Sequence, residues 1–305
     1  SLTATGTVDE LGDEPRFKMH FEAQTEHLHD LLVAFDHQMP VDGTGTAEGL
    51  LIRSGDRYRV EDLRLTASAP ELSLRANGTV DALGDKPRFN MQFEAHTEHI
   101  HDLLIAFDHQ IPIDGTGTAE GQLIRSDDHY RVEDLRLTAS APELSLRATG
   151  TVDALGDEPR FKMQFEAHTE HLHDLLVAFD QEMPIDGTGT AEGLLIRSGD
   201  RYQVEDLRLT ASTPELSLRA TGTVDELGRF PELSLQISGR SPDLARLSQV
   251  WSWNWPLPGG IELAIAGSLK AVAGTVVTSD LALTALGQEV KGHFSGRLPS
   301  MGYAG

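Results

Sequence analysis

Phe161-Lys162-Met163-Gln164-Phe165-Glu166-Ala167 alternates strictly between apolar and polar residues. An alternation with a period of two is typical of a half-buried β-strand, because successive side chains point to opposite faces of a sheet. The same Phe-x-Met-x-Phe pattern begins at Phe17 and at Phe89, so it recurs every 72 residues. This stretch therefore predicts a sheet with one apolar face that repeats along the chain.

The repetition is not limited to this strand but extends over a unit of 72 residues. Glycines in the pattern Ala-x-Gly-Thr-Val mark its start at Gly6, Gly78, Gly150 and Gly222, and residues 6–77 differ from 150–221 at nine of 72 positions. We expect 1–5 to be the end of a preceding repeat, followed by repeats at 6–77, 78–149 and 150–221 and a diverged fourth repeat at 222–305. Such an array copies one surface, whereas an enzyme concentrates its chemistry in one pocket.

Each repeat predicts about four antiparallel strands and one helix. The phase of the apolar alternation slips between Val204 and Leu207, which indicates a β-bulge. The segment 169–180 predicts an amphipathic helix with Thr169 as N-cap and Glu170 in its first turn. Its apolar positions at i, i+3, i+4 and i+7 are Leu172, Leu175, Leu176 and Phe179. In the fourth repeat we expect the same helix, with Ser241 as N-cap, Pro242 as its first residue, and Leu244, Leu247 and Trp251 on one face.

The predicted fold class is mainly β: an elongated, curved antiparallel sheet, or repeating β-groove, with one short amphipathic helix per repeat of about 72 residues. A two-layer sandwich is the other way to cover an apolar sheet face. The apolar face, however, mixes Phe and Leu with many small residues, and aromatic residues make up only 6% of the chain. This composition favours a curved sheet with an incompletely filled interior.

Composition excludes several classes of function. The formal net charge is −23, and only five of the 25 basic residues are lysines, so the chain lacks the basic footprint that nucleic acid or an anionic membrane surface requires. The absence of cysteine rules out disulfides and thiolate metal sites. No apolar run approaches the ~18–20 residues of a membrane span, and residues 1–5 do not resemble a signal peptide. Because the chain begins within a predicted strand, we expect it to be a fragment of a longer protein.

The order of motifs resembles the AsmA-like/TamB superfamily. The fourth repeat has Asp243-Leu-Ala-Arg-Leu-Ser248, then Trp255-Pro-Leu-Pro-Gly-Gly-Ile-Glu-Leu263, then Ala266-Gly-Ser-Leu269 and Ser279-Asp-Leu-Ala-Leu283. The third repeat has the corresponding His173-Asp-Leu-Leu176, Met183-Pro-Ile185, Gly189 to Gly193, Tyr202-Gln-Val-Glu-Asp-Leu-Arg-Leu209 and Leu218-Arg-Ala-Thr-Gly222. The near-identical repeats and the histidines at the helix start depart from the family pattern.

This resemblance implies a repeating β-groove in a bridge-like lipid transfer protein that is anchored in the bacterial inner membrane and crosses the periplasm. It implies phospholipid or another acyl lipid as partner, with membrane proteins at the two ends of the full-length protein, and it carries over no catalytic residue. We therefore expect a periplasmic, non-catalytic lipid conduit without a cofactor, anchored through a segment outside this chain.

The candidate binding residues are the large side chains of the alternating apolar face. The residues predicted to line a lipid groove are Phe17, Met19, Phe21, Phe89, Met91, Phe93, Phe161, Met163, Phe165, Leu195, Val204, Leu207, Leu209, Leu216, Leu218, Leu233, Leu235 and Ile237. The alternative function is a structural spacer or filament-forming surface protein with a fully packed interior, in which an exposed strand edge adds the next chain end to end. An enzyme has no support in the sequence.

Three other motifs have a functional and a structural interpretation. Histidines at the helix start (His27, His29, His99, His101, His171, His173, with His96 or His168 nearby) suggest either metal ligands or a solvated surface, and their spacing favours the latter. The Asp-Gly-Thr-Gly-Thr segments from Asp42, Asp114 and Asp186 are expected to be turns that lead into strands, not calcium or phosphate loops. Trp251, Trp253 and Trp255 fit either a membrane or lipid contact or the packing of the last helix.

The repeat also predicts the length of the particle. Strands lie ~4.8 Å apart, so four strands extend the sheet by about 19 Å, and four repeats extend it by about 75–80 Å before twist. Small-angle X-ray scattering should therefore report a rod, with equivalent residues such as Phe17, Phe89 and Phe161 on one interior line. A compact particle would contradict this prediction.

Overall fold

The fold is mainly β. The computed structural model describes residues 1–10, 16–28, 42–81, 87–106, 113–126, 129–154, 159–178, 186–226, 232–250, 256, 258–272 and 275–297. Over these residues the strands form one open antiparallel sheet of 17 strands, which confirms the predicted fold class at this level.

The strands of the described residues are β1 (Leu2–Glu10), β2 (Arg16–Thr25), β3 (Thr44–Ser54), β4 (Arg57–Ser68), β5 (Ser73–Asp81), β6 (Arg88–Thr97), β7 (Thr116–Ser126), β8 (His129–Ser140), β9 (Ser145–Ala154), β10 (Arg160–Thr169), β11 (Thr188–Ser198), β12 (Arg201–Ser212), β13 (Ser217–Glu226), β14 (Glu232–Ser241), β15 (Leu263–Val272), β16 (Thr275–Ala285) and β17 (Gln288–Arg297). Three helices lie between them: α1 (Ile100–Ala106), α2 (Leu172–Ala178) and α3 (Leu244–Val250).

The chain divides into two compact units. The first contains residues 1–141 and 148–159, and the second contains 142–147 and 160–305. In the first unit each strand from β1 to β7 pairs antiparallel with the next one along the chain. In the second unit the strands from β10 to β17 pair in the same way.

The alternation in the sequence corresponds to an alternation in burial. In β10, the polar side chains of Arg160, Lys162 and Gln164 are exposed, and the intervening Phe161, Met163 and Phe165 are half-buried or buried. The same pattern runs along β2 and β6. One face of the sheet is therefore apolar in each unit, and the opposite face is mostly polar.

The predicted bulge lies where the phase of the alternation slips. Pairing of β12 with β13 shifts register between Val204 and Leu207, and both of these side chains lie in the apolar core. Asp206 takes the extra position with φ of 50°, and Asp62 and Asp134 do the same in the earlier repeats. Aspartate tolerates this left-handed conformation better than most residues. The bulge therefore places two successive large apolar residues on the same face.

Two helix starts differ from the prediction. Helix α2 begins at Leu172, whose N–H donates to the carbonyl of Gly187 at 2.8 Å, and the Thr169 hydroxyl accepts from His171 N in the preceding turn. Thr169 is therefore not the N-cap, and Asp174, rather than Glu170, is the acidic residue of the first helical turn. The bond to Gly187 fixes the start of the helix, and the local sequence does not reveal this bond.

In the fourth repeat the helix also begins later than predicted. Helix α3 begins at Leu244, whose N–H donates to the carbonyl of Ile261 at 2.8 Å, so Pro242 precedes the helix. The Asp243 carboxylate caps it by accepting from Ala245 N at 3.0 Å. Ser241, the predicted cap, is buried, and its hydroxyl has no hydrogen-bond partner among the described residues.

The helices have the amphipathic faces that the sequence predicts, as far as the structure describes them. In α2, Leu172, Leu175 and Leu176 are half-buried and His173 is exposed. In α3, Leu247 is buried. Phe179 and Trp251, which complete the two predicted faces, lie outside the described residues.

The glycine that marks each repeat lies where two strands approach closely. A Cβ built on Gly222 would overlap the carbonyl oxygen of Ser234 in the neighbouring strand. Gly6 and Gly78 have the same relation to the carbonyls of Lys18 and Asn90. By contrast, a Cβ on Gly292 in β17 would meet no heavy atom within 4 Å. The repeating glycine is thus required by sterics.

We predict that Gly222→Ala destabilises the protein and that the matched Gly292→Ala change does not. The new methyl group of Gly222→Ala forces β13 and β14 apart, at a cost of about 1–3 kcal/mol. Thermal unfolding followed by circular dichroism measures both variants. Equal midpoints for the two variants would contradict the steric role of the glycine.

Candidate functional site

The apolar face of the first unit is contiguous over five consecutive strands, β2 to β6. Its buried centre consists of Val60, Leu63, Ala76 and Met91. Six half-buried residues pack against this centre: Phe21, Leu51, Leu65, Val80, Phe89 and Phe93. Since these residues come from both sides of Gly78, the face is continuous across the boundary between the first and second repeats.

The second unit has the equivalent face on β10 to β14. Val204, Leu207 and Val224 form its buried centre. Phe165, Leu195, Leu209, Leu233 and Leu235 pack around it and are half-buried. This face continues from the third repeat into the diverged fourth repeat, where Leu233, Leu235 and Ile237 take the positions of Phe161, Met163 and Phe165.

Strand register arranges these side chains in rows that run across the strands. One row of cross-strand neighbours in the second unit is Met163, Leu195, Val204, Val224 and Leu233. The next is Leu207, Gly222 and Leu235, and a third is Leu209, Ala220 and Ile237. The small residues Gly222 and Ala220 lie within these rows, so the large side chains next to them project further from the sheet.

The largest side chains on this face remain partly accessible. All six phenylalanines of the Phe-x-Met-x-Phe strands are half-buried, whereas Met91 and Met163 between them are only 7% and 8% exposed. The closely packed interior of a globular domain covers its aromatic residues. Among the described residues, then, the apolar face has a buried floor and partly exposed aromatic side chains above it.

The structure places nearly all of the predicted groove residues on this face. In the first unit it brings together Phe21, Phe89, Met91 and Phe93, and in the second Phe165, Leu195, Val204, Leu207, Leu209, Leu233 and Leu235. By strand register, Phe17, Met19, Phe161, Met163, Leu218 and Ile237 lie on the same face. Leu216 is the exception, because it lies in the turn before β13, where its N–H and carbonyl both bond to Thr213.

The sequence analysis did not predict a polar cluster that lies beside the apolar rows, at one end of the strands. In the first repeat, Phe17, Arg53 and Tyr58 are cross-strand neighbours on the apolar face, next to the hairpin turn between β3 and β4. The Arg53 guanidinium carbon lies 4.8 Å from the centroid of the Tyr58 ring, and Phe17 meets that ring edge-on at 6.4 Å. The two-residue spacing from Leu51 to Arg53 was the signal that could have revealed it.

The other two repeats contain the same cluster. Arg125 lies 4.8 Å from the centroid of the Tyr130 ring, and Arg197 lies 4.8 Å from that of Tyr202. Phe89 and Phe161 again contact the tyrosine edges, at 6.1 and 6.2 Å between centroids. We call the end of the strands that carries this cluster the hairpin lip, and the opposite end, next to the helices, the helix lip.

Among the described residues, the helix lip carries His27, His99, His101, His171 and His173 and the first aspartate of each Asp-Gly-Thr-Gly-Thr segment. His99 Nδ1 lies 3.1 Å from Asp114 Oδ2, and the Asp114 carboxylate also accepts from the N–H groups of His101 and Gly115. Strand β7 begins at Thr116, so the segment is a turn that leads into a strand, as expected. In the part of the chain that the structure describes, no group of three His, Asp or Glu residues is arranged to hold a metal ion.

The adjacent carboxylates Glu61 and Asp62 do not act as a pair in the structure. Glu61 binds Arg59 at 3.4 Å on the polar face, and Asp62 occupies the exposed bulge. Trp251, Trp253 and Trp255 lie outside the described residues. No helix among the described residues has the length and apolar character needed to cross a membrane.

Comparison of the chain with models of protein families, with curated proteins and with solved structures found no match.

The His99–Asp114 pair gives a prediction about pH. The hydrogen bond that His99 Nδ1 donates to the Asp114 carboxylate raises the pKa of His99, the negative charge of Asp114 adds to this effect, and the same contact lowers the pKa of Asp114. The stabilisation linked to His99 is complete below the usual histidine pKa and is lost as pH rises through the raised value. The stabilisation linked to Asp114 is lost as pH falls through its lowered pKa, so the pair stabilises most between these two values.

We expect Asp114→Asn to return the pKa of His99 toward its ordinary value, because it removes both effects of the carboxylate. Asp102→Asn, which removes only a weaker charge interaction, should lower that pKa less. An NMR titration of the imidazole signals, with His99→Gln for assignment, measures both changes. An unchanged His99 pKa in Asp114→Asn would show that the pair does not form in solution.

Proposed function

We propose that this chain is a segment of a periplasm-spanning, non-catalytic lipid conduit, in which phospholipid acyl chains move along an apolar groove between the inner and outer membranes. The observation that carries the proposal is the half-buried apolar face that extends over five consecutive strands in each unit. The bacterial location and the membrane proteins at either end rest on the resemblance to the AsmA-like/TamB superfamily.

The partly exposed phenylalanines of the apolar face support this proposal. A soluble protein rarely leaves a large contiguous apolar patch in water unless the patch binds something. An acyl chain that covers such a face gains ~0.8 kcal/mol for each methylene removed from water. Phe-x-Met-x-Phe strands with half-buried rings, beside buried Val, Ala and Met side chains, provide an apolar surface of this kind in each unit.

Repetition suits transport better than storage. Because the three repeats present nearly the same side chains, successive acyl positions have similar free energies and none is a deep trap. The phospholipid head group stays at the polar margin, since its transfer into an apolar site without partners costs several kcal/mol. Catalysis has no role in this scheme.

We favour a conduit over a structural spacer because a spacer requires a filled interior. In a packed interior the phenylalanines would be covered by a second layer, but among the described residues they remain half-buried. Repetition and exposed strand edges are compatible with both functions and do not separate them.

The proposal predicts that the purified protein carries phospholipid, seen as mass adducts in native mass spectrometry. Replacing Phe21, Phe93 and Phe165 together by Glu places one carboxylate on the apolar face of each repeat. We expect bound lipid to fall by about tenfold or more, because an acyl chain must then lie against an unpaired charge.

The matched control replaces His20, Gln92 and Gln164 by Glu. These residues precede the three phenylalanines and are exposed on the polar face, so lipid binding should be unchanged. Circular dichroism establishes that both triple variants fold. Absence of phospholipid from the wild-type protein, together with no binding of added phospholipid, would refute the proposal.

A further inference from the structure

We propose that the hairpin lip is an anion-recognition site for the head group of the bound lipid, with Arg53 and Arg197 as the recognising residues. This inference rests on the proposed function, because it assigns the orientation and charge of the ligand on the same apolar face. The ligand class is an acyl chain that ends in a carboxylate or a phosphate.

The guanidinium groups are held in place by the protein. Arg53 Nε donates to the carbonyl of Gly55 at 2.9 Å, and Arg197 Nε donates to the carbonyl of Gly199 at 2.9 Å. Each group also lies over its tyrosine ring at 4.8 Å. These contacts use one of the five N–H donors of the guanidinium and leave its planar Nη edge for another acceptor. A planar fork of this kind binds carboxylate or phosphate in a bidentate manner.

The arginines of the polar face provide an internal comparison. Arg64, Arg136 and Arg208 each bind a glutamate of the neighbouring strand at 2.9–3.0 Å. Within the described residues, in contrast, neither Arg53 nor Arg197 forms an ion pair with a carboxylate. The chain neutralises its outer arginines with its own glutamates, yet it leaves at least these two lip arginines without an acidic partner despite a net charge of −23.

The position of the arginine matches the geometry of a single-chain amphiphile. Arg53 lies two residues beyond Leu51 on the same strand face, a distance of about 7 Å along the strand. The cross-strand neighbours of Leu51 are Met19 and Val60 on the apolar face. An acyl chain that passes over Leu51 along the direction of the strand, toward the hairpin turn, therefore places its terminal anion at the Arg53 guanidinium.

The fourth repeat lacks the site. The residues that correspond to Phe161, Arg197 and Tyr202 are Leu233, Ala271 and Val276, as the pairing of β14, β15 and β16 shows. Ala271 is fully buried. The apolar face thus continues into the fourth repeat without the cationic group, so the proposed head-group site does not extend into that repeat.

The test compares three probes by isothermal titration calorimetry: dodecanoate, the uncharged 1-monolaurin with the same acyl chain, and inorganic phosphate. The variant replaces Arg53, Arg125 and Arg197 by Gln, and the matched control replaces Arg64, Arg136 and Arg208 by Gln. Both variants lose three positive charges. We expect the lip variant to lose at least about tenfold in affinity for dodecanoate and to keep its affinity for monolaurin within about twofold.

The control variant should bind both acyl probes like the wild type, and phosphate alone should bind at least about a hundredfold more weakly than dodecanoate. Equal loss of dodecanoate in both variants, or equal loss of both acyl probes in the lip variant, would overturn the proposal. So would unchanged dodecanoate binding in the lip variant, or phosphate binding as tight as that of dodecanoate. Failure of the wild type to bind either acyl probe would instead refute the proposed function.

A measurement on the wild-type protein keeps the proposal testable if the lip variant does not fold. Raising the salt concentration from 50 to 500 mM should weaken dodecanoate binding relative to monolaurin binding by at least about threefold, because salt screens a partly exposed charge interaction. An equal response of the two probes to salt would contradict recognition of the anion.

Discussion

The two-residue alternation of side chains along each strand is the constraint on which the rest of the structure depends. Backbone hydrogen bonds fix the register between neighbouring strands, so a shift of one residue would exchange the apolar and polar faces. The bulges at Asp62, Asp134 and Asp206 correct the phase within the long strands and keep both valine and leucine on the apolar side. The apolar face is thus maintained strand by strand within each unit.

Unlike a globular domain, a sheet built in this way leaves large apolar side chains partly exposed to water. Its floor is formed by small and medium side chains such as Val60, Ala76 and Val204, which are 5–7% exposed. The phenylalanines above that floor have no complete cover among the described residues. The protein accepts this exposure in each of the three near-identical repeats, and a ligand that covers the rings would also stabilise the fold by binding only the native state.

The sequence alone was sufficient to predict the strands, their faces and the bulge, because each depends on alternation within a short segment. The helix starts were wrong by two residues, because the carbonyls of Gly187 and Ile261, further along the chain, determine them. Leu216 was placed in a strand because its alternation with Leu218 continues into the turn. The Arg53–Tyr58 contact was missed because charged residues at strand ends are usually solvated, and only register shows that both lie beside Phe17.

The central claim is that acyl chains bind to one face of the sheet. Photo-crosslinking with a fatty acid that carries a diazirine near its methyl end, followed by peptide mass spectrometry, tests this claim residue by residue along β10. The account predicts adducts on Phe161, Met163 and Phe165 and few on Lys162 and Gln164. Adducts distributed equally over the two faces, or adducts confined to the polar face, would contradict it.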